Sequence, residues 1–169
     1  MRYVFLLIIT FFVSSCSNPT NKYLGYWELE QDTSSLFYHP IIAKIEKKDN
    51  LYYLTENVFF KGRSPIVLEE KGNKLSANSM FGSVTLQLTN NGTTLAMVDK
   101  KYKKISSTDF ETLKKNLNDC NNLRKTYDDE ARQYQMPFSE DNRKKLNEII
   151  AKYKKLSEKI QNCKIIFEY

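Results

Sequence analysis

The chain has 169 residues, with 26 Lys and Arg against 20 Asp and Glu, a net charge of +6 and a single His. That length holds one ordinary domain or two small ones. The basic excess is mild and spread along the chain, without the cationic density of a nucleic-acid arm, so no nucleic acid is expected as a partner.

The first residues form the first element. After Met1-Arg2-Tyr3 comes an apolar run from Val4 to Val13, broken only by Thr10, then Ser14-Ser15-Cys16. One positive charge, a short apolar core and small residues before a cut make a signal peptide over 1–15. The run is about half of the ~20 residues that a membrane-crossing helix needs, so it targets and does not span. Val13-Ser14-Ser15-Cys16 resembles the bacterial lipobox. The resemblance implies that Cys16 becomes the first mature residue and carries acyl chains, the lipidation site through which the protein would meet a membrane. Two or three chains hold stably where one holds marginally. In the Gram-negative sorting rule that accompanies the lipobox, Ser17 permits transfer to the outer membrane, the expected location if the source is Gram-negative.

Residues 16–22 read as the lipidated N-terminus and a polar tether. From 23 to 105 the pattern is that of strands. Trp27 and Leu29 alternate with Tyr26 and Glu28; Ile41, Ala43 and Ile45 with Lys44 and Glu46; Val84, Leu86 and Leu88 with Thr85 and Gln87. Asp49-Asn50, Lys71-Gly72-Asn73, Phe81-Gly82 and Asn90-Asn91-Gly92 mark turns between them. Short links make neighbours antiparallel, which predicts a β-meander of about seven or eight short strands. Gly25-Tyr26-Trp27 resembles the Gly-x-Trp signature of lipocalin-like barrels. The 23–105 span is roughly half of what a full lipocalin uses, so eight strands of ~5–7 residues close at most a small or half-open barrel whose own side chains fill it. A sheet covered by the helices that follow would give both halves one shared core.

Residues 106–169 switch to helical spacing. Thr108-Asp109-Phe110-Glu111 fits a capping box. Phe110, Leu113, Leu117, Cys120, Leu123, Tyr127, Ala131 and Tyr134 then share one face. Met136-Pro137-Phe138 interrupts, and Ser139 is placed to cap a second helix with Leu146, Ile149, Ile150, Tyr153, Leu156 and Ile160 on one side. The reading is a helical hairpin with a short tail, Ile165 to Tyr169, that packs back on the sheet. The fold class is therefore α+β.

With Cys16 assigned to lipid, Cys120 and Cys163 remain, an even pair that reads as a disulfide in an oxidising compartment, or else as two buried thiols. Helical arms of about 15 and 23 residues differ by roughly 12 Å at ~1.5 Å per residue, so the bond requires that one helix bend or stop, or that the turn lie elsewhere.

No catalytic or metal-binding residue is expected, nor any cofactor. His39 stands alone beside Pro40, and GxSxG, HExxH and P-loop patterns are absent. Glu69-Glu70 and Asp128-Asp129-Glu130 are the tightest acidic groups; glycoside hydrolysis would need two carboxylates held ~5–10 Å apart across a groove. Lys100-Lys101-Tyr102-Lys103-Lys104 reads either as a contact for anionic head groups or as a solvated strand that discourages edge pairing. Asn91-Gly92-Thr93 reads as a hairpin turn. The 11 Tyr and 10 Phe are the unusual resource. Tyr38, Tyr52, Tyr53, Phe59 and Phe60 crowd the early strands, implying either a second buried face or an aromatic patch for a partner. The expected function is a non-enzymatic, lipid-anchored module for a protein or envelope partner. The alternatives are a carrier of a small apolar ligand, and an envelope hydrolase using paired carboxylates.

Overall fold

A computed structural model describes residues 18–31, 39–79, 82–136 and 139–167. The signal segment and Cys16 lie outside these residues. Among the described residues, nine strands make one antiparallel sheet: β1 (Gly25–Leu29), β2 (Ile42–Lys48), β3 (Leu51–Thr55), β4 (Ile66–Lys71), β5 (Lys74–Ser79), β6 (Gly82–Thr85), β7 (Gln87–Thr89), β8 (Thr94–Met97) and β9 (Lys100–Ile105). The helices α1 (Ser107–Gln135) and α2 (Glu140–Ser157) follow. The α+β meander with a helical hairpin thus holds, with nine strands where seven or eight were expected.

The ninth strand comes from a break at one residue. The spatial order is β6-β5-β4-β3-β2-β1-β9-β8-β7, so the two ends of the sheet are neighbours in sequence. Only Leu86 separates β6, which pairs with β5, from β7, which pairs with β8. The 82–89 run therefore changes partner at Leu86, whose side chain is fully buried and whose N–H donates to Leu75 O at 2.8 Å. The sheet is nearly closed into a barrel, leaving little open edge.

Alternation fills the interior. Trp27, Ile45, Tyr52, Leu54, Leu68 and Tyr102 are almost completely buried within one cluster. Turn chemistry sets the register. Asp49 and Asn50 take positive φ, as a two-residue hairpin loop between Lys48 and Leu51 demands, and Gly72 does so between Lys71 and Lys74. Asn90-Asn91-Gly92 is a short 3-10 turn between β7 and β8, as its sequence predicts.

The expected tether is instead folded. Pro19–Tyr23 forms a 3-10 helix capped by the Asn18 side chain, which accepts from Thr20 N. This helix lies at the end of the barrel where β1 begins, called the base here. The β2–β3, β4–β5 and β7–β8 turns gather at the same end because the strands alternate in direction. The opposite end, the rim, carries the 56–65 connection and the described residues Glu30, Gln31, His39, Pro40 and Ile41.

The helices stand apart from the barrel core. Cys120, Tyr127, Ala131, Leu146, Ile149 and Tyr153 form a second cluster that holds no sheet residue. The expectation of one shared core is therefore corrected: the barrel interior is closed off by its own wall, so a helix reaches only the outer face. That contact is aromatic. Phe110 of α1 stacks on Tyr26 at 3.9 Å between centroids and lies 5.8 Å from Phe59. Ile42 sits on the same outer face of β2 and is fully buried.

Further corrections are local. The capping box at the start of α1 uses Ser106 and Asp109, not Thr108 and Glu111: Asp109 N donates to Ser106 Oγ at 3.0 Å and Ser106 N to Asp109 Oδ2 at 3.2 Å. The spacing is the same, shifted to where β9 ends. Ser139 caps α2 as read, accepting from Asn142 N. The C-terminal tail packs on the helices rather than the sheet: Ile165 joins their cluster and Phe167 meets Tyr127 edge-on at 5.0 Å. Val58-Phe59-Phe60 belongs to a turn-rich connection and not to a strand.

Candidate functional site

The base of the barrel is built around Thr20. Its side chain is fully buried, and its hydroxyl lies 2.6 Å from Asn18 Oδ1, 2.6 Å from Glu70 Oε1 and 2.7 Å from the Tyr52 hydroxyl. A threonine has one proton to donate and an ionised carboxylate can only accept. With that proton on Glu70, the Tyr52 hydroxyl donates to Thr20. The bonds from Thr20 and then Asn18 hold the Glu70 carboxyl below its ordinary pKa. Four residues from the N-terminal segment, β3 and β4 are thus joined in one network.

Beside it, Tyr23 crosses the base and donates to Leu86 O at 3.1 Å, so the N-terminal helix also reaches the seam where the sheet changes partner. Trp27 Nε1 donates to Tyr23 O at 2.8 Å. Lys104 lies over the Trp27 ring, 5.0 Å from its centroid, and donates to Lys22 O at 2.8 Å. Burial lowers the Lys104 pKa. These contacts explain the Gly-x-Trp triplet mechanically. Gly25 takes φ +122°, a conformation L side chains rarely adopt, Tyr26 faces α1, and Trp27 enters the barrel.

The lysine cluster 100–104 is β9, paired on both sides by β1 and β8, so the reading as a guard of a sheet edge is corrected. Tyr102 points into the core, Lys101 and Lys103 are exposed, and Lys104 covers Trp27.

The hairpin is held by three cross-links. Cys120 and Cys163 are joined, with Cα atoms 5.4 Å apart and a separation of 43 positions in sequence. The mismatch of arms is resolved because α2 stops at Ser157 and the chain turns back, with Asn162 at positive φ just before Cys163. Arg124 donates to Lys164 O at 3.1 Å. Glu130 on α1 accepts from Lys152 Nζ and from the Tyr153 hydroxyl on α2, each at 2.7 Å. Those bonds, Lys152 first, lower the Glu130 pKa.

The other residues singled out by sequence fall apart as chemistry. Glu70 is committed to Thr20, while the adjacent Glu69 points to the other face of β4 and meets Lys71 at 3.7 Å. Asp129 pairs with Arg132 and Glu130 with Lys152. Neither acidic group converges on a groove. His39 lies at the rim, its carbonyl accepting from Gln31 Nε2 at 2.6 Å. With Pro40 it borders a cavity of about 30 Å³ against Leu113, Leu117 and Cys120, room for about one water. Among the described residues, no three His, Cys, Asp or Glu come together as metal ligands.

The aromatic excess divides between two layers. Tyr52 lies inside the barrel, Phe59 stacks at the α1 contact, Tyr53 is half-buried on the wall, and Phe60 is exposed at the rim. Tyr38 and Cys16 lie outside the described residues. No helix among the described residues is long and apolar enough to cross a membrane. The Thr20 network escaped the sequence reading because Ser-Asn-Pro-Thr-Asn-Lys looks like any polar linker; Asn18 followed by Pro19 was the signal of a capped helical turn.

No family model, curated protein or solved structure matches the chain.

Proposed function

We propose that this chain is a bacterial lipoprotein, acylated at Cys16, whose barrel is a pedestal on an envelope membrane and whose helical hairpin is offered to a protein or envelope partner. The observation that carries this reading is the division into two separate cores. The first described residue, Asn18, lies on the barrel base. The hairpin starts beside Tyr26 near the base, passes Phe59, His39 and Pro40 toward the rim and continues with a core of its own. From Leu117 to Gln135, α1 has about 18 residues left, roughly 27 Å at ~1.5 Å per residue, to carry it away from the rim.

The lipobox-like Val13-Ser14-Ser15-Cys16 supports the anchor, and the Cys120–Cys163 link supports an oxidising compartment. Ser17 after the cysteine favours the outer membrane of a Gram-negative cell. Against the carrier alternative stands an interior taken up by Trp27, Tyr52, Tyr102 and their neighbours. Against the hydrolase alternative stands the separation of its carboxylates.

Two measurements test the proposal. Metabolic labelling with a palmitate analogue is expected to mark the wild-type protein and not Cys16→Ala; an unmarked wild type removes the anchor. Photo-crosslinking residues placed at exposed Lys125 or Lys155 on the hairpin, and at Glu69 on the barrel wall, are then compared in native cells. One recurrent adduct from hairpin positions alone supports display by the hairpin. The same adduct from Glu69 alone overturns it.

A further inference from the structure

Resting on the anchor proposed above, we infer that the base of the barrel is itself a docking face for an anionic lipid surface, so that the protein stands on its membrane in one orientation.

Three observations lead there. First, the leash is short. Thr20 is fully buried and Asn18 caps the first helical turn, and only Ser17 lies between Cys16 and Asn18 in sequence. Two residue steps span at most ~7 Å. Second, the leash is fixed to the barrel, because Thr20 is bound to both Tyr52 and Glu70 and Tyr23 to Leu86. The base cannot drift from the acyl chains without breaking those bonds. Third, the base is basic. Lys22, Lys47, Lys48, Lys71, Lys74, Lys103 and Lys104 surround it, against Asp49, Glu70 and, where α1 starts beside the end of β9, Asp109 next to Lys103 and Glu111 paired with Lys114. Glu46 and Glu69, which pair with Lys48 and Lys71, lie one step further up the outer wall. Among the described residues the rim has no such bias, with Glu30, Glu56 and Asp99 against Lys61, Arg63 and Lys100.

The reach of the leash is shorter than the ~8 Å over which physiological salt screens charge. Base lysines held at that distance therefore feel the negative potential of phosphatidylglycerol-type head groups, as juxtamembrane basic segments do. Electrostatics adds direction to the anchor: lipid on Cys16 retains the protein, and the lysines turn its base toward the bilayer.

The test uses the acylated full mature chain reconstituted in vesicles of phosphatidylcholine with or without phosphatidylglycerol. Lysine acetylation is followed residue by residue by mass spectrometry, which also reads the mass on Cys16. Lys47, Lys48, Lys71 and Lys74 are expected to react several-fold more slowly in anionic than in neutral vesicles. Lys125, Lys144 and Lys155 on the hairpin are expected to react equally in both. Lys71→Glu with Lys74→Glu, two exposed positions outside the Thr20 network, should abolish the difference at Lys47 and Lys48 while leaving vesicle retention intact. Acyl chains on Cys16 with equal reactivity of base and hairpin lysines would overturn the docking face and leave the anchor standing. A Cys16 without acyl chains would remove both.

Discussion

The barrel and the hairpin solve the same problem, burial of apolar side chains, by opposite routes. The barrel assembles Tyr23, Tyr52, Leu86 and Tyr102 from across the chain, and its alternation carries the information. The hairpin buries residues that are close along two helices and adds a covalent link for what those contacts leave loose. A small helix pair has little apolar area to bury, so a disulfide and the Glu130 bonds contribute proportionately more there than any single side chain does in the barrel. Among the described residues the two cores stay separate and meet where Phe110 stacks on Tyr26 near Phe59 and where His39 and Pro40 face Leu113, Leu117 and Cys120, which makes their independence measurable.

Trp27→Ala should have the largest effect, removing a fully buried indole and the surface under Lys104; a loss of ~3–5 kcal/mol is expected. Hydrogen exchange should show it as faster opening of β1, β2 and β9 with α2 protection retained. Equal loss in α2 would break the two-core picture. Removing the link by Cys120→Ser with Cys163→Ser should cost ~4 kcal/mol on the chain-entropy account of a 43-position loop. Denaturation by circular dichroism at 222 nm should shift, while Trp27 fluorescence, the only indole signal, keeps its midpoint.

Phe110→Ala sharpens the comparison at the contact itself. It should cost ~3 kcal/mol and separate the helical and barrel transitions further. Ser106→Ala removes one half of the capping box and should cost ~1 kcal/mol, read as fraying of the first turn of α1 by amide exchange.

The smallest effect concerns pH. Glu130 has its pKa lowered in the folded state, so its contribution is fully present above the ordinary glutamate value of 4.5 and is lost as pH falls through the lower folded value. Hairpin melting should lose part of its acid sensitivity in Glu130→Gln, with the barrel's unchanged.

Much of this was legible because period and turn chemistry are local. Ala43 and Ile45 alternate visibly, Asp49-Asn50 and Gly72-Asn73 fix two hairpins, and the helical stripe from Cys120 to Tyr134 marks α1. What stayed hidden depends on where the barrel closes. Val84, Leu86 and Leu88 read as one strand, and nothing in their pattern says that Leu86 changes partner. Phe110 continued the helical stripe by spacing, yet it faces Tyr26 because α1 starts beside β1. Thr20 looked like linker because its partners, Tyr52 and Glu70, are 32 and 50 positions away. Of the candidate functional features, the cysteine pair could be read from counting, whereas the base required the assembled barrel.

The partner change at Leu86 has a consequence for how this chain tolerates insertion and deletion. Side chains alternate with period two on either side of it, so one extra residue there would turn β6 or β7 inside out. Loops such as 56–65 carry no such parity and can lengthen freely. Diversity in length should therefore collect at the rim, while the stitch at Leu86 keeps its count.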